Sequence, residues 1–403
     1  MNKNDFTIIG IDGGATKAAG GIIQFDSETQ SFSLRGHVSQ CNYHHFSSFK
    51  NDFAPVDLTI QLEESENENM MVTDLEKIQG KVIVDACADV ITTLYQKSNQ
   101  LPLLIGIGMP GLKTGDQRGI FVMKNGPRIP RFSEKLEEKL EQRGISLLVS
   151  IQRLGSDAEY CSFGEEYGQG GLFKNIRNGY YLGGGTGAAD GLKLNGAIVS
   201  FDQSKEWIVK TWEVKNETGT SIEEYVSAKG IQTLYSTYSH MSMEQLWDEK
   251  IYLNDILQRA FDGEEHAIKT WEDVISNLSR LLFERILTLY SGGQELFTRT
   301  HSTQKMLKKN HKYRGTLLDR IVIGQRLGEL FARPEAEKFL LQPLCKKLGE
   351  LILHSTSFPM KAKKHYLLGE KFNRNLLKIS QLKEAPIIGA GIEAYFSWRE
   401  SCQ

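Results

Sequence analysis

Two short glycine-rich turns, each between a pair of apolar strands, constrain this chain more than any other feature of its sequence. The first turn is Gly-Gly-Ala-Thr at residues 13–16, and the second is Gly-Gly-Gly-Thr-Gly at residues 183–187. Each pattern predicts a β-hairpin with a small tip. Bare turns of this kind present successive backbone N–H groups, which together form a concave anion-binding site. Because each hairpin opens one half of the chain, the sequence predicts two lobes that bind one polyphosphate.

Apolar periodicity predicts an α/β organisation in both halves, with helices alternating with strands of largely parallel sheets. The hairpins make these sheets mixed. An acidic, irregular stretch at residues 51–72 is expected to be a solvated loop. Helices are expected at residues 74–97, 133–143, 158–166, 223–238, 335–354 and 391–399, and throughout 243–311. Further strands are expected at residues 32–38, 103–108, 146–150, 320–324 and 365–369.

Composition excludes several classes of protein. Of the 403 residues, 40% are hydrophobic and 24% are charged, and the net charge of -2 gives no bulk attraction to nucleic acid or to an anionic membrane. We see no signal peptide and no apolar run near the ~20 residues that a membrane helix needs. The five cysteines are scattered and odd in number, so we expect reduced thiols in a cytoplasmic protein.

Two carboxylates could carry chemistry. Asp12 precedes the first glycine turn, where a carboxylate can hold Mg²⁺ through water; the alternative is an aspartate that stabilises its own hairpin. Asp157 follows a strand and turn and precedes a helix. It could cap that helix, or it could act as a general base that accepts a hydroxyl proton during attack on phosphorus.

The order of motifs resembles the sugar kinases of the actin–hexokinase–Hsp70 superfamily, and most closely the ROK and bacterial glucokinase group. The similar segments span some 380 residues, in the same order as in those kinases. They are Ile-Asp-Gly-Gly-Ala-Thr-Lys at 11–17, Ile-Gly-Ile-Gly-Met-Pro-Gly at 105–111, Lys-Asn-Gly at 124–126, Ser-Asp-Ala at 156–158, Leu-Gly-Gly-Gly-Thr-Gly at 182–187, Ile-Glu-Glu-Tyr-Val-Ser-Ala-Lys-Gly at 222–230 and Ile-Ile-Gly-Ala at 387–390.

This resemblance implies two RNase H-like (actin-like ATPase) lobes with mixed sheets around an interlobe cleft. The first lobe would span residues 1–150, joined by the final helix at 389–403. The second would span residues 151–388, with a helical insertion at 243–311. The implied activity is ATP-dependent phosphorylation of a sugar hydroxyl, of a hexose or hexosamine at the 6-hydroxyl, with ATP and Mg²⁺ as cofactors.

The resemblance also implies roles for individual residues. Asp157 would be the catalytic base, and Asp12 would hold Mg²⁺ through water. The sugar would be bound by Asn125, Gly126, Ser156, Asp157 and Glu223. The nucleotide would be bound by Asp12, Gly13, Gly14, Thr16, Lys17, Gly184, Gly185, Thr186, Gly187, Gly324 and Gly389. We expect a small-molecule sugar and a nucleotide as partners, and neither nucleic acid nor a membrane; a homodimer stays open.

The chain departs from the family pattern at four places. Ser156 replaces the usual asparagine, and Gln325 replaces a second glycine after Gly324. A Glu-x-x-His element expected before Glu223 is missing, and so is the cysteine-rich zinc motif. These departures leave the acceptor open. The N-acetylglucosamine kinase branch is a rival match, since it has an asparagine after the third strand, as Asn42 is here.

Two other classes of function stay open on the same scaffold. One is a non-catalytic regulator that senses a sugar or nucleotide, and the other is an ATPase or activator that acts on another protein. Turnover against a panel of sugars separates the first from a kinase, and ATP hydrolysis without sugar identifies the second. The phosphate donor, ATP or polyphosphate, is not fixed by the sequence.

Overall fold

The structure is a computed structural model that describes residues 6–67, 69–201, 203–293, 296–299 and 306–402. The chain forms two compact units. One comprises Met1–Gly171 with Glu384–Gln403, and the other comprises Leu172–Lys383. Residues 151–171, which the sequence placed in the second lobe, therefore belong to the first unit.

The helices and strands are numbered in chain order. The helices are α1 (Leu58–Glu66), α2 (Asp74–Gln96), α3 (Phe132–Gln142), α4 (Asp157–Tyr167), α5 (Glu223–Val226), α6 (Ala228–Ser239), α7 (Met243–Asp248), α8 (Leu253–Phe261), α9 (Glu265–Ser291), α10 (Gln325–Phe331), α11 (Gln342–His354), α12 (Met360–Tyr366) and α13 (Ala385–Ser401). The strands are β1 (Thr7–Gly13), β2 (Lys17–Asp26), β3 (Ser31–Asn42), β4 (Leu103–Gly108), β5 (Leu112–Lys113), β6 (Ile120–Val122), β7 (Leu154–Gly155), β8 (Gly179–Gly184), β9 (Ala188–Leu194), β10 (Ala197–Ile198), β11 (Val214–Lys215), β12 (Thr298–Arg299), β13 (Arg320–Gly324), β14 (Leu367–Leu368), β15 (Lys371–Phe372) and β16 (Leu377–Ile379).

Each unit contains a five-stranded mixed sheet, and the two sheets have the same topology. The first has the order β3-β2-β1-β4-β7 and the second the order β10-β9-β8-β13-β16. In both, an antiparallel hairpin is followed by two parallel strands. The predicted α/β class, with a hairpin at the start of each half, is confirmed.

Helix α13 packs against the first sheet through glycines that have no room for a side chain. Gly10 of β1 and Gly106 of β4 are register partners. A Cβ on Gly10 would lie 1.8 Å from the carbonyl oxygen of Ile387, and one on Gly106 would lie 1.8 Å from that of Ala390. Helix and sheet therefore meet backbone to backbone, which fixes α13 to the strands that carry the first glycine turn.

The acidic stretch at 51–72 contains a helix, so the prediction of a loop is wrong. Asp57 caps α1 by accepting a hydrogen bond from the Thr59 N–H at 2.8 Å. The side chain of Gln61 on this helix is fully buried. Glu63 and Glu64, which made the stretch look solvated, lie on this helix, and Glu64 pairs with Arg128 of the first unit.

Other boundaries differ where tertiary context overrides local pattern. Residues 146–150 form only an isolated bridge, at Leu147, and the edge strand is β7 instead. The single helix expected at 223–238 breaks at Ser227, which caps α6. The strand expected at 365–369 is confined to β14, because α12 extends to Tyr366.

The helical insertion is shorter than the predicted 243–311. It consists of α7, α8 and α9, and β12 follows it and pairs with β11. Residues 294–295 and 300–305 of the predicted helical stretch lie outside the described part of the chain. Helix α9 is buried along most of its length and carries much of the hydrophobic core of the second unit.

A buried charged cluster joins α9 to the second hairpin. Arg285 donates to Asp190 Oδ1 at 3.1 Å and to Glu284 Oε2 at 3.0 Å. Asp190 lies on β9 opposite Leu182, and it also accepts hydrogen bonds from Tyr180 and Thr211. The helical insertion is thereby coupled to the strands that carry the second glycine turn.

Among the described residues, no helix is both long and apolar enough to cross a membrane. None of the five cysteines forms a disulfide bond in the structure.

Candidate functional site

The carboxyl ends of three parallel strands meet at one edge of the first sheet. In the register of the sheet, Asp12 lies beside Gly108, and Gly108 lies beside Gly155. Asp12 is the penultimate residue of β1, and Asp157 follows β7 by two residues. Ligands of open α/β sheets bind at such an edge, so the topology itself brings the two candidate carboxylates together.

The first glycine turn is held rigidly while its tip stays open. The Gly14 N–H donates to the Lys17 carbonyl at 2.9 Å, and the buried Tyr43 hydroxyl donates to the Gly14 carbonyl at 3.0 Å. Ala15 and Thr16 are exposed, and their N–H groups have no partner among the residues described. Two successive unpaired N–H groups on a fixed turn provide a binding site for an anion.

Two glycines of this turn serve different purposes. A Cβ on Gly13 would lie 2.0 Å from Met109 Sδ, so Gly13 is required by packing. A Cβ on Gly14 would make only an ordinary contact, at 3.4 Å from the Lys17 carbonyl. Gly14 therefore leaves the approach to the tip clear for a ligand.

The carboxyl group of Asp12 is close enough to Asp157 for their charges to interact. Burial, which is the larger cause, and the negative charge of Asp157 together raise the pKa of Asp12 to about 7, against the opposing positive charge of Lys17. Lys17 Nζ also donates to Gln40 Oε1 at 2.7 Å, which fixes the lysine beside the turn. A buried carboxylate whose ionisation is opposed by a neighbouring carboxylate forms a site that a divalent cation would stabilise.

Replacing Asp12 with asparagine is expected to stabilise the free protein at high pH. In the folded protein Asp12 keeps its proton up to about pH 7, whereas in the unfolded chain it loses the proton near pH 4. The stability that depends on this group is therefore fully present at low pH and is lost as the pH rises to about 7. D12N avoids that loss and should be more stable than wild type by roughly 2–4 kcal/mol above pH 7, and equal to it near pH 4.

Urea unfolding at pH 4, 6 and 8 measures this difference. D52N, the same change in an exposed loop, is the matched control and should show no such trend. A stability difference for D12N that does not change with pH would contradict the electrostatic account of Asp12.

Asp157 is the first residue of α4 and does not cap the helix. Ser156 is the cap, since its hydroxyl accepts the Glu159 N–H at 3.1 Å. The Asp157 carboxylate accepts the N–H of its neighbour Ala158 at 3.0 Å. Because Ser156 performs the capping, the carboxylate of Asp157 is not needed for that purpose.

Helix α4 is anchored so that Asp157 is held in place. The Tyr160 ring covers the ends of two strands, where a Cβ on Gly155 would lie 2.2 Å from its Cζ. The Tyr160 hydroxyl donates to Glu393 Oε2 at 3.4 Å, and Arg153 Nε donates to Glu393 Oε1 at 2.6 Å. Glu393 lies on α13, which is itself fixed to the sheet, so α4 has little freedom to shift.

The loop with Asn125 and Gly126 is clamped by helices α1 and α2. Gln61 makes two hydrogen bonds to the backbone of Met123, one to its carbonyl at 3.2 Å and one from its N–H at 2.8 Å. The buried Arg128 forms a bidentate pair with Glu76 at 2.7 and 2.8 Å and also pairs with Glu64. Asn125 is exposed between these two anchors, so its amide is presented to solvent on a fixed loop.

Replacing Gln61 with methionine is expected to lower the free energy of unfolding by about 2–4 kcal/mol. The change keeps the side-chain volume but leaves the Met123 N–H and carbonyl buried without partners, at about 1–3 kcal/mol for each group. Urea denaturation measures the loss. Q96M, on an exposed helix position, is the control, and equal stability of the two variants would show that the clamp contributes nothing.

The second glycine turn, in the second unit, is likewise held by hydrogen bonds while its tip stays exposed. The Gly185 N–H donates to the Gly187 carbonyl at 2.9 Å, and the Gly185 carbonyl accepts the Ala228 N–H at 2.8 Å. Thr186 and Gly187 are exposed, and within the described ranges their N–H groups have no partner. Gly184 is closed in, since a Cβ there would lie 2.3 Å from the Val226 carbonyl.

Glu223 lies against this turn. It is the first residue of α5, and its Oε1 accepts the Ala188 N–H at 3.0 Å. The loop before it is organised by Asn216, whose Oδ1 accepts the N–H groups of Thr218 and Thr220 at 3.2 and 3.0 Å. An asparagine-centred turn thus directly precedes Glu223 and its helix.

Two further glycines of the expected nucleotide site, Gly324 and Gly389, lie in different surroundings from each other. Gly324 ends β13 and precedes α10, at the same sheet edge as the second turn. Gly389 lies in the middle of α13, and a Cβ there would lie 1.8 Å from the Tyr160 carbonyl. Its visible role is the close packing of α13 on α4, which positions Asp157 indirectly.

Sequence reasoning missed the residues that support the site. Tyr43, Gln61 and Glu393 bond to partners 29, 62 and 240 residues away, respectively. For Tyr43 the sequence offers one signal of its contact with the first turn, because it directly follows the third strand. For Gln61 and Glu393, no local sequence pattern indicates the contact.

The donors present suit Mg²⁺ only if a substrate completes its coordination. In the described part of the chain, no group of three or more His, Cys, Asp or Glu residues could hold a metal ion. Mg²⁺ commonly binds one or two carboxylates together with water and substrate phosphate oxygens. The Asp12 carboxylate beside the first turn fits that pattern.

Comparison with solved structures identifies the fold. A ROK family glucokinase from Streptomyces griseus, solved with glucose and AMPPNP, aligns with a TM-score of 0.57 and 15% identity over 97% of this chain and 99% of its own. The ROK hexokinase of Thermus thermophilus aligns with a TM-score of 0.55 and 14% identity over 98% and 99%. A ROK family transcriptional regulator, a homologue of the E. coli MLC protein, aligns with a TM-score of 0.54 and 13% identity over 98% of this chain and 80% of its own.

These likenesses establish the fold predicted from the motifs, the actin-like ATPase fold of the ROK sugar kinases. No family model matches this sequence, and no curated protein matches it either.

Proposed function

We propose that this protein transfers the γ-phosphoryl group of ATP to a sugar hydroxyl. One observation carries the proposal: Asp12 and Asp157 interact electrostatically beside a rigid turn with two unpaired N–H groups. In a fold shared with sugar kinases, this combination supplies a metal ligand, a base and a phosphate site at one sheet edge.

Asp157 acts as the general base in this scheme. It accepts the proton of the attacking sugar hydroxyl as the new oxygen–phosphorus bond forms. Its position on an anchored helix matters, because phosphoryl transfer depends mainly on the alignment of donor and acceptor. The 6-hydroxyl of a hexose or hexosamine is the proposed acceptor.

Asp12 would hold Mg²⁺ through water, together with the phosphates. The chemistry that the ion would supply there is neutralisation of charge on the phosphoryl oxygens. Binding of the cation also favours ionised Asp12, so its pKa should fall well below 7 in the complex.

The exposed N–H groups of the two glycine turns bind phosphoryl oxygens of the nucleotide. Lys17 adds a positive charge beside the first turn. The remaining residues of the proposed nucleotide site are Gly13, Gly14, Thr16, Gly184, Gly185, Thr186, Gly187 and Gly324.

The sugar is bound in this proposal by Asn125, Ser156 and Glu223, with Gly126 shaping the loop. Asn125 is exposed on its clamped loop, which suits an amide that contacts sugar hydroxyls. Ser156 and Glu223 already make structural hydrogen bonds, to Glu159 N–H and Ala188 N–H. Each retains further acceptor capacity, because a hydroxyl has two lone pairs and a carboxylate about four acceptor positions.

A regulator that senses sugar or nucleotide is the second candidate. It is favoured by the structural likeness to a ROK transcriptional regulator and by the departures at Ser156 and Gln325. Such a protein would bind the same ligands without turnover.

Coupled ADP release, measured against hexoses, amino sugars and cyclitols with Mg²⁺ and ATP, separates these functions. A kinase releases ADP only when its acceptor is present. A regulator gives thermal stabilisation by a ligand but no ADP. ADP release that is independent of every sugar would identify an ATPase and contradict the proposal.

A further inference from the structure

Gln325 has a backbone conformation that its side chain disfavours. It follows Gly324 at the end of β13, and its φ of 56° places it in the left-handed region. For a residue other than glycine this conformation costs roughly 1–2 kcal/mol. Backbone strain of this kind is concentrated at active sites and ligand-binding sites in proteins.

The carboxamide of Gln325 lies against the second glycine turn. A Cβ added to either Gly183 or Gly185 would lie 2.9 Å from Gln325 Oε1. Gly183 is also the register partner of Gly324, so the strand pairing itself fixes this placement. The amide is therefore adjacent to the turn whose tip carries the unpaired N–H groups of Thr186 and Gly187.

The equivalent position in the first unit shows what packing against the turn requires of the side chain. Met109 follows Gly108 at the end of β4, as Gln325 follows Gly324 at the end of β13, and its sulfur packs against Gly13 of the first turn. An apolar side chain is thus sufficient to cover a glycine of the hairpin. At this place Gln325 carries a carboxamide, which has two N–H donors that the methionine thioether lacks.

We propose that the Gln325 carboxamide hydrogen-bonds to a phosphoryl oxygen of the nucleotide at the second glycine turn. This inference rests on the proposed function, since it needs a nucleotide at that turn. A carboxamide offers two N–H donors, and a hydrogen bond to a charged phosphate is stronger than one between neutral groups.

The Gln325→Met variant tests the proposal, because methionine keeps the length, the packing and the backbone strain while removing the amide. AMPPNP affinity, measured by calorimetry with Mg²⁺, is expected to fall roughly 10- to 100-fold in Q325M. Q325E should bind still more weakly, since its carboxylate repels phosphate. Thermal melting of each free variant shows whether the fold is intact.

Gln117→Met is the matched control. Gln117 also has a positive φ, of 60°, but is exposed in a loop of the first unit, so Q117M should bind AMPPNP like wild type. Folded Q325M with wild-type affinity would overturn the inference and leave the proposed function standing. A wild-type protein that binds no nucleotide would overturn both.

Discussion

Replacing Asp157 with asparagine is expected to lower kcat by roughly 10²–10⁴ while leaving the affinity for ATP unchanged. Asparagine preserves the size of the side chain and an oxygen that can accept the Ala158 N–H, but it cannot take a proton from a hydroxyl. Helix α4 should remain in place, because Ser156, Tyr160 and Glu393 hold it independently of Asp157. The loss should therefore fall on the chemical step.

Coupled ADP release with the acceptor identified from the panel measures kcat, and calorimetry with AMPPNP measures binding. D74N is the matched control, since Asp74 is likewise the first residue of a helix, and it should keep full activity. A second readout separates catalysis from structure: removing the Asp157 charge should lower the pKa of Asp12. Near-normal turnover in D157N would show that Asp157 is not the general base.

Replacing Arg285 with alanine is expected to lower the free energy of unfolding by about 3–5 kcal/mol. The side chains of Arg285 and Asp190 are 1% and 0% exposed, so the variant would leave the Asp190 and Glu284 carboxylates buried without their cation. The cluster joins α9 to the second hairpin, and its loss should also loosen the second glycine turn. Weaker nucleotide binding should accompany the lower stability.

R280A in the same helix is the matched control. Arg280 pairs with Glu217, whose side chain is 71% exposed, and such a pair contributes at most about 1 kcal/mol. Urea denaturation of both variants measures the contrast. If R285A and R280A are equally stable, the buried cluster does not hold the second unit together.

The hairpins and their glycine turns could be predicted because their determinants are local. Glycine spacing and apolar flanks lie within about a dozen residues, and both hairpins form in the structure. The parallel strands β4 and β13 were also recognisable, because buried central strands are continuously apolar. Asp12 and Asp157 could be placed near each other only through the resemblance to a known fold.

What could not be predicted depends on contacts between distant parts of the chain. The acidic stretch becomes helix α1 because Gln61 and Glu64 find partners in the loop after β6. Gly389 resembled part of a nucleotide motif, yet its structural reason is the approach of α13 to α4. A glycine's sequence context does not distinguish close packing from ligand binding, since both require the absence of a Cβ.

The central claim is that the exposed N–H groups of the first glycine turn, beside Asp12, bind the phosphates of a nucleotide. Amide NMR of the deuterated protein, titrated with Mg²⁺ and AMPPNP, tests it most directly through the signals of Ala15 and Thr16. Both signals are expected to shift on binding with one common Kd. Signals of Ala15 and Thr16 that stay unchanged while the nucleotide binds would contradict it.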